Sequence, residues 1–211
     1  MTLAGAVMGS SVTACEIALV LSIDVSNSVD PAEYLVQTNG MADALADTEI
    51  IGALLEGKIA LTVIQWSGVD KQEVSIPWAR MTSLAAIQDF AIAARTMPRA
   101  FVLSDTAPAE AIYFALDQFA AVPDCTKQVI DVSGDGTPNS GADVRLARNA
   151  AQTQGVTING IAIESMGQAI TGFYQRGLIT RDGFVITART HRDYARAIRA
   201  KILREVSRIV G

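Results

Sequence analysis

The sequence predicts an α/β fold: a doubly wound, mostly parallel sheet with helices on both faces. Three observations carry that expectation. Apolar strand-like runs alternate with helix-like segments along most of the chain. The strand candidates are continuous apolar runs, as expected of parallel strands buried on both faces. Half of the 211 residues are hydrophobic and only 6% are aromatic. Small aliphatic side chains of that kind suit helices packed closely on a sheet.

Glu16 to Ile23 (EIALVLSI) is an apolar run too short for an ordinary helix and reads as the first strand. Pro31 to Ala46 reads as a helix, with Asp30 at the N-cap and Pro31 at the first helical position. Lys58 to Trp66 is a second strand, and Gln72 to Ile76 a short third one closed by Pro77. Ser83 to Ala94 reads as a helix, broken at Met97-Pro98-Arg99. Pro108 to Ala120 is a further helix. Gln128 to Val132 is a strand, followed by the turn Ser133 to Asn139. Ala142 to Thr153 is helical, Val156 to Ile163 extended, and a short helix is expected around Gln168 to Gln175. Gly183 to Ile186 is the last strand, and Thr190 caps a closing helix from about His191 to Arg208. The chain shows no internal repeat and no interdomain linker, so 15–211 reads as one domain.

The formal net charge is -5. That balance argues against nucleic acid as a partner. Arg189, Arg192, Arg196, Arg199, Lys201, Arg204 and Arg208 recur mostly at helical spacing and read as a solvated helix face. No apolar run reaches the ~18 residues of a membrane span. Residues 1–14 are small and apolar and resemble a truncated secretory signal, although they lack a basic start; the alternative is an uncharged leader.

Cys15 and Cys125 precede two strands by similar offsets. If those strands are parallel neighbours, the cysteines lie side by side at one edge of the sheet. A disulfide there closes a loop worth ~4.7 kcal/mol by chain entropy and implies an oxidising compartment, periplasmic or extracellular. Two free thiols in a cytoplasmic protein are the alternative.

In doubly wound sheets ligands bind at the carboxyl ends of strands where the strand order reverses, which directs attention to the loop after Ile23. It reads Asp24-Val25-Ser26-Asn27-Ser28. A carboxylate and two hydroxyls at alternate positions of an extended segment share one side. Oxygen donors suit Mg²⁺, Mn²⁺ or Ca²⁺ rather than zinc. Thr106, before the helix at Pro108, and Asp135, in a glycine-flanked turn, offer further oxygens at comparable junctions.

Asp-x-Ser-x-Ser, a later Thr opening a helix and an Asp in a glycine-flanked turn together resemble the metal-ion-dependent adhesion site of von Willebrand A domains, whose sheet is Rossmann-like. The resemblance runs from Glu16 to the C-terminus. More narrowly, the stretches VLSIDVSNSVDPAEY, QWSG, VIDVSGDGTPNSG, GVTINGIAI and GFV resemble a bacterial family of A-type proteins of unknown function that usually carry a signal peptide. The chain departs from the pattern after Thr106, where Pro108-Ala109 stands in place of an Ile-Gly pair.

The resemblance implies a divalent cation, Mg²⁺ by default, held by Asp24, Ser26, Ser28, Thr106 and Asp135. Ser26 and Ser28 would ligate directly, and Asp24 and Asp135 largely through water. A Glu or Asp from a protein partner would complete the shell. Thr106 could instead be an N-cap hydroxyl, and the metal role is preferred. Asp105 is expected beside the site. Asp131, inside a presumed central strand, reads as a structural group rather than an acceptor behind the site. Trp66 is either a rim residue or a core aromatic. His191, the single histidine, reads as a capped surface residue. Met166 and the other methionines show no ligand spacing. The competing function is a metal-assisted hydrolase or phosphatase with Asp24 as nucleophile; Ser26, where such enzymes carry a second Asp, counts against it. Nucleotide binding lacks Gly-x-Gly-x-x-Gly after the first strand.

Overall fold

In the computed structural model, residues 15–164 and 169–207 are described. The leader at 1–14, Met166, Gln168 and Arg208 lie outside them. Among the described residues, six strands form one sheet in the order β3-β2-β1-β4-β5-β6. They are β1 (Cys15–Asp24), β2 (Ala60–Trp66), β3 (Gln72–Arg80), β4 (Cys125–Gly134), β5 (Thr157–Ile163) and β6 (Val185–Ala188). All neighbouring pairs are parallel except β2 with β3.

Alternation along β1 assigns the two cores. Ile17, Leu19, Leu21 and Ile23 face α1 (Pro31–Leu45), α2 (Thr48–Glu56), α3 (Leu84–Thr96) and α7 (Tyr194–Ser207). The smaller Ala18 and Val20 face α4 (Pro108–Gln118), α5 (Val144–Thr153) and the short α6 (Ile170–Phe173). Large side chains fill one interface, and small ones let the helices of the other approach.

Several expectations hold to within a few residues. Asp30 caps α1 in a full capping box with Glu33, and Pro31 opens the helix. Other expectations fail for identifiable reasons. Helix α2 was not anticipated; Asp47 caps it, and Ile50 and Leu54 are its buried pair. Pro77 does not close β3, which runs on to Arg80. The strand lies at the sheet edge, where a missing N–H is tolerated, and the ladder shifts register there. Thr190 makes no side-chain cap bond; the Asp193 carboxylate instead accepts from the Arg189 N–H.

Cys15 and Cys125 are register partners on β1 and β4 and form a disulfide, with Cα atoms 4.4 Å apart. The basic helix face needs correcting at one position. Lys201 is fully buried, with Nζ 2.5 Å from Asp131 and 2.6 Å from Glu205. Asn159 on β5 donates to the same Glu205 oxygen. Asp131 is therefore structural: burial pushes its carboxyl upward and Lys201 opposes that shift. Among the described residues no helix is long and apolar enough to cross a membrane.

Candidate functional site

The strand order reverses between β1 and β4, and the loops leaving their carboxyl ends meet there. Ser26 and Ser28 Oγ are 3.1 Å apart. Thr106 Oγ1 lies 3.0 Å from Ser26 Oγ. Ser28 Oγ donates to Asp135 Oδ1 at 2.5 Å. Three hydroxyls and a carboxylate from three loops thus form one continuous oxygen cluster. Asp24 sits beneath it, accepting the Ser26 N–H at 2.8 Å through Oδ1. Its other oxygen is buried without a hydrogen-bond partner among the described residues.

Exposure is graded across this cluster. Asp24 and Ser26 are fully buried, Asp135 and Thr106 nearly so, and Ser28 opens to solvent. Burial pushes the Asp24 carboxyl up to about 7; the Ser26 N–H opposes this and nearby Asp135 reinforces it.

Backbone features hold the loops in place. Arg99 donates Nη2 to the carbonyls of Val25 and Ser26, at 2.8 and 3.0 Å. Asn139 accepts the Thr106 N–H through its side chain, and its own N–H bonds to the Thr106 carbonyl. Helix α4 starts at Pro108 after an N-cap at Ala107 that makes no side-chain bond. Thr106 therefore does not cap the helix, and its hydroxyl turns to Ser26. Pro108 does not disturb this arrangement, because the first helical position needs no N–H. Gly134 is required by close packing: a Cβ there would come within 2.8 Å of Asp24 Oδ2 and 2.9 Å of the Tyr174 hydroxyl.

The residues expected at the margin separate. Asp105 is exposed on the rim, and its carbonyl accepts from Ser67 Oγ. Trp66 is 1% exposed and packs in the core, which removes it from the rim. His191 is the largest correction. It is buried, and its Nε2 lies 3.2 Å from Asp135 Oδ2 and 3.6 Å from Glu33 Oε1. The sequence separation of 56 between His191 and Asp135 hid this contact. Arg99 was missed for a similar reason: it sits in a segment legible only as a helix break.

The arrangement Ser28–Asp135–His191 is not a nucleophile triad. The carboxylate lies between serine and histidine, so the imidazole is not placed to take the serine proton. Among the described residues no group of three or more His, Cys, Asp or Glu side chains is placed to hold a metal. The donor set here is instead three hydroxyls with two carboxylates. Neighbouring oxygens 2.5–3.1 Å apart resemble adjacent ligands of an octahedral shell, about 3 Å apart for bonds of 2.0–2.1 Å. The hydroxyls and the buried carboxylates therefore fit a small hard cation.

A family described as a protein of unknown function, DUF1194, matches residues 14–210. The chain belongs to the DUF1194 family. Comparison with curated proteins gives no match. Solved structures share its fold, which is that of von Willebrand A domains. Proximal thread matrix protein 1 from the mussel byssus superposes with a TM-score of 0.68 at 14% identity, over 92% of this chain and 48% of that one. A second structure of that mussel protein has a zinc-occupied MIDAS motif (TM-score 0.66, 14% identity, 92% and 46% coverage). The von Willebrand factor type A protein from Catenulispora acidiphila gives 0.63 at 18% identity, covering 91% and 43%. The vWF domain of the type V pili tip protein Mfa5 from Porphyromonas gingivalis gives 0.66 at 10% identity, covering 94% and 97%. This DUF1194 chain thus spans about half the length of the mussel protein.

Proposed function

We propose that this DUF1194 protein is a cation-dependent protein-binding module. Asp24, Ser26, Ser28, Thr106 and Asp135 would hold one divalent cation, Mg²⁺ by default. The observation that carries the reading is the continuous oxygen cluster built by three loops over the buried Asp24 carboxylate. When bound, the cation supplies a Lewis-acidic position whose water a partner's Glu or Asp can replace. Ser28, the exposed member, marks the side from which the partner would approach. Arg99 holds the loop carbonyls, and His191 holds the second Asp135 oxygen.

Pilus and byssus proteins among the fold neighbours support an adhesive role outside the cell. The Cys15–Cys125 disulfide supports an oxidising compartment, secreted or periplasmic. The hydrolase reading finds no support in the geometry, because a fully buried Asp24 offers no accessible nucleophile.

Calorimetric titration with Mg²⁺ tests the site. One-site binding is expected in the native protein and none in Asp24→Ala. A peptide bearing a single glutamate should then bind the magnesium-loaded protein and be released by chelator. Equal Mg²⁺ binding by Asp24→Ala would overturn the assignment.

A further inference from the structure

The segment between α3 and α4 carries two of the most exposed apolar residues among those described, Val102 at 61% and Leu103 at 84%. They lie just before Ser104-Asp105-Thr106, so the same loop that delivers the Thr106 hydroxyl presents an apolar tip. Leu103 also has a positive φ of 51°. A bulky side chain rarely adopts that conformation. Lys58 shares it, but there the turn ends helix α2, where left-handed backbone is common. Leu103 ends no helix. Strained backbone of this kind concentrates where surrounding structure holds a side chain for use.

The tip is held against the cation loops. The Asn27 N–H, between Ser26 and Ser28, donates to the Ser104 carbonyl at 3.0 Å. A depression of about 260 Å³ is lined by Asn27, Leu103, Ser104, Asp105 and Asn139. It runs from the Ser26–Ser28 loop to the Leu103 side chain.

We propose that Val102 and Leu103 form an apolar knob that selects the partner: a protein segment in which the acidic residue is followed or preceded by a large apolar side chain. The acidic residue would go to the cation site while its apolar neighbour packs on Leu103 across the depression. This inference rests on the cation-dependent reading above and adds the sequence context of the captured residue. The depression shared by Leu103 and Asn27, with the Asn27–Ser104 bond, sets Leu103 beside the loop that carries Ser26 and Ser28, which favours such a segment over a lipid surface.

The test uses two synthetic pentapeptides with one central glutamate, flanked by leucines in one and by serines in the other. In Mg²⁺ the native protein should bind the leucine peptide about tenfold more tightly, the gain from burying part of one aliphatic side chain. In Leu103→Asn that preference should fall to near one. The melting temperature of this variant should not be lower than native, since Asn tolerates the left-handed conformation better than Leu. Retention of the preference in Leu103→Asn, or no preference in the native protein, overturns the proposal. Binding of phosphatidylcholine vesicles that is lost in Leu103→Asn, without any peptide preference, also overturns it by marking a lipid contact. Repeating the pair in chelator separates the two readings. A leucine preference that survives without cation removes the metal-dependent function and leaves the knob.

Discussion

Two buried aspartates four positions apart, Asp131 in β4 and Asp135 in the turn just after it, stand in contrasting surroundings. Asp131 meets an ammonium from its own chain, Lys201, in a cluster closed by Glu205 and Asn159. Asp135, at the strand's end, joins Ser28 and His191 above the buried Asp24. Asp24 forms no ion pair with lysine or arginine among the described residues. The first carboxylate has its countercharge built in, and it locks α7 to the sheet. The second pair is surrounded mainly by oxygen donors, with His191 beside Asp135, and it is the place proposed above for an external cation. The same residue type therefore serves a structural cluster inside β4 and, on the reading proposed above, a binding site just past its carboxyl end.

Breaking the closed cluster should have the largest effect. Lys201→Met leaves Asp131 and Glu205 buried without their cation, at a cost of about 3–5 kcal/mol. For a chain of this size that lowers the melting temperature by roughly 6–20 °C, as circular dichroism on heating would record. An unchanged melting point would show that the pair contributes nothing net.

Next in size is the disulfide that ties β1 to β4 at the opposite edge. Its removal in the double variant Cys15→Ala, Cys125→Ala should cost about 2–5 kcal/mol. Denaturant titration measures this directly, with the midpoint falling.

The open site should respond with the reverse sign. Asp24→Asn removes a buried charge, so the protein without metal should melt no lower than native. The native protein, however, should gain about 2.7 kcal/mol when Mg²⁺ is present at a hundred times its dissociation constant, and the variant should gain none. Thermal shift with and without Mg²⁺ reads both. A variant that kept the magnesium gain would erase the contrast between the Asp131 cluster and the Asp24–Asp135 site.

The smallest effect tests an exposed pair near the start of α7. The Arg196 guanidinium beside Asp193 holds that carboxyl down at about 2. A depressed carboxyl stabilises the fold above its unfolded value, near 3.9, and loses that contribution as pH falls toward 2. Arg196→Ala should therefore melt slightly below native at pH 6, and the difference should shrink at pH 2. A constant difference would assign the effect to packing.

The sequence alone determined the elements that local chemistry dictates. Apolar runs marked the strands, and Asp30 with Pro31 marked the start of α1. The spacing of Asp24, Ser26 and Ser28 put three oxygens on one loop, although that loop turns between Ser26 and Val29 and does not run extended as the alternation suggested. The cysteine offsets anticipated the disulfide once a parallel β1–β4 pair was assumed. Tertiary structure alone decided which distant groups meet. His191 and Arg99 reach the site from segments whose local pattern reads as a cap and a break. Lys201 repeats at helical spacing like its exposed basic neighbours, and only the packing of α7 over Asp131 turned it inward. Trp66 could have pointed to either the rim or the core, and helix packing on the sheet chose the core. Periodicity records which face of an element is apolar; it does not record which polar group from elsewhere will be brought against it, since that depends on how the elements pack in three dimensions.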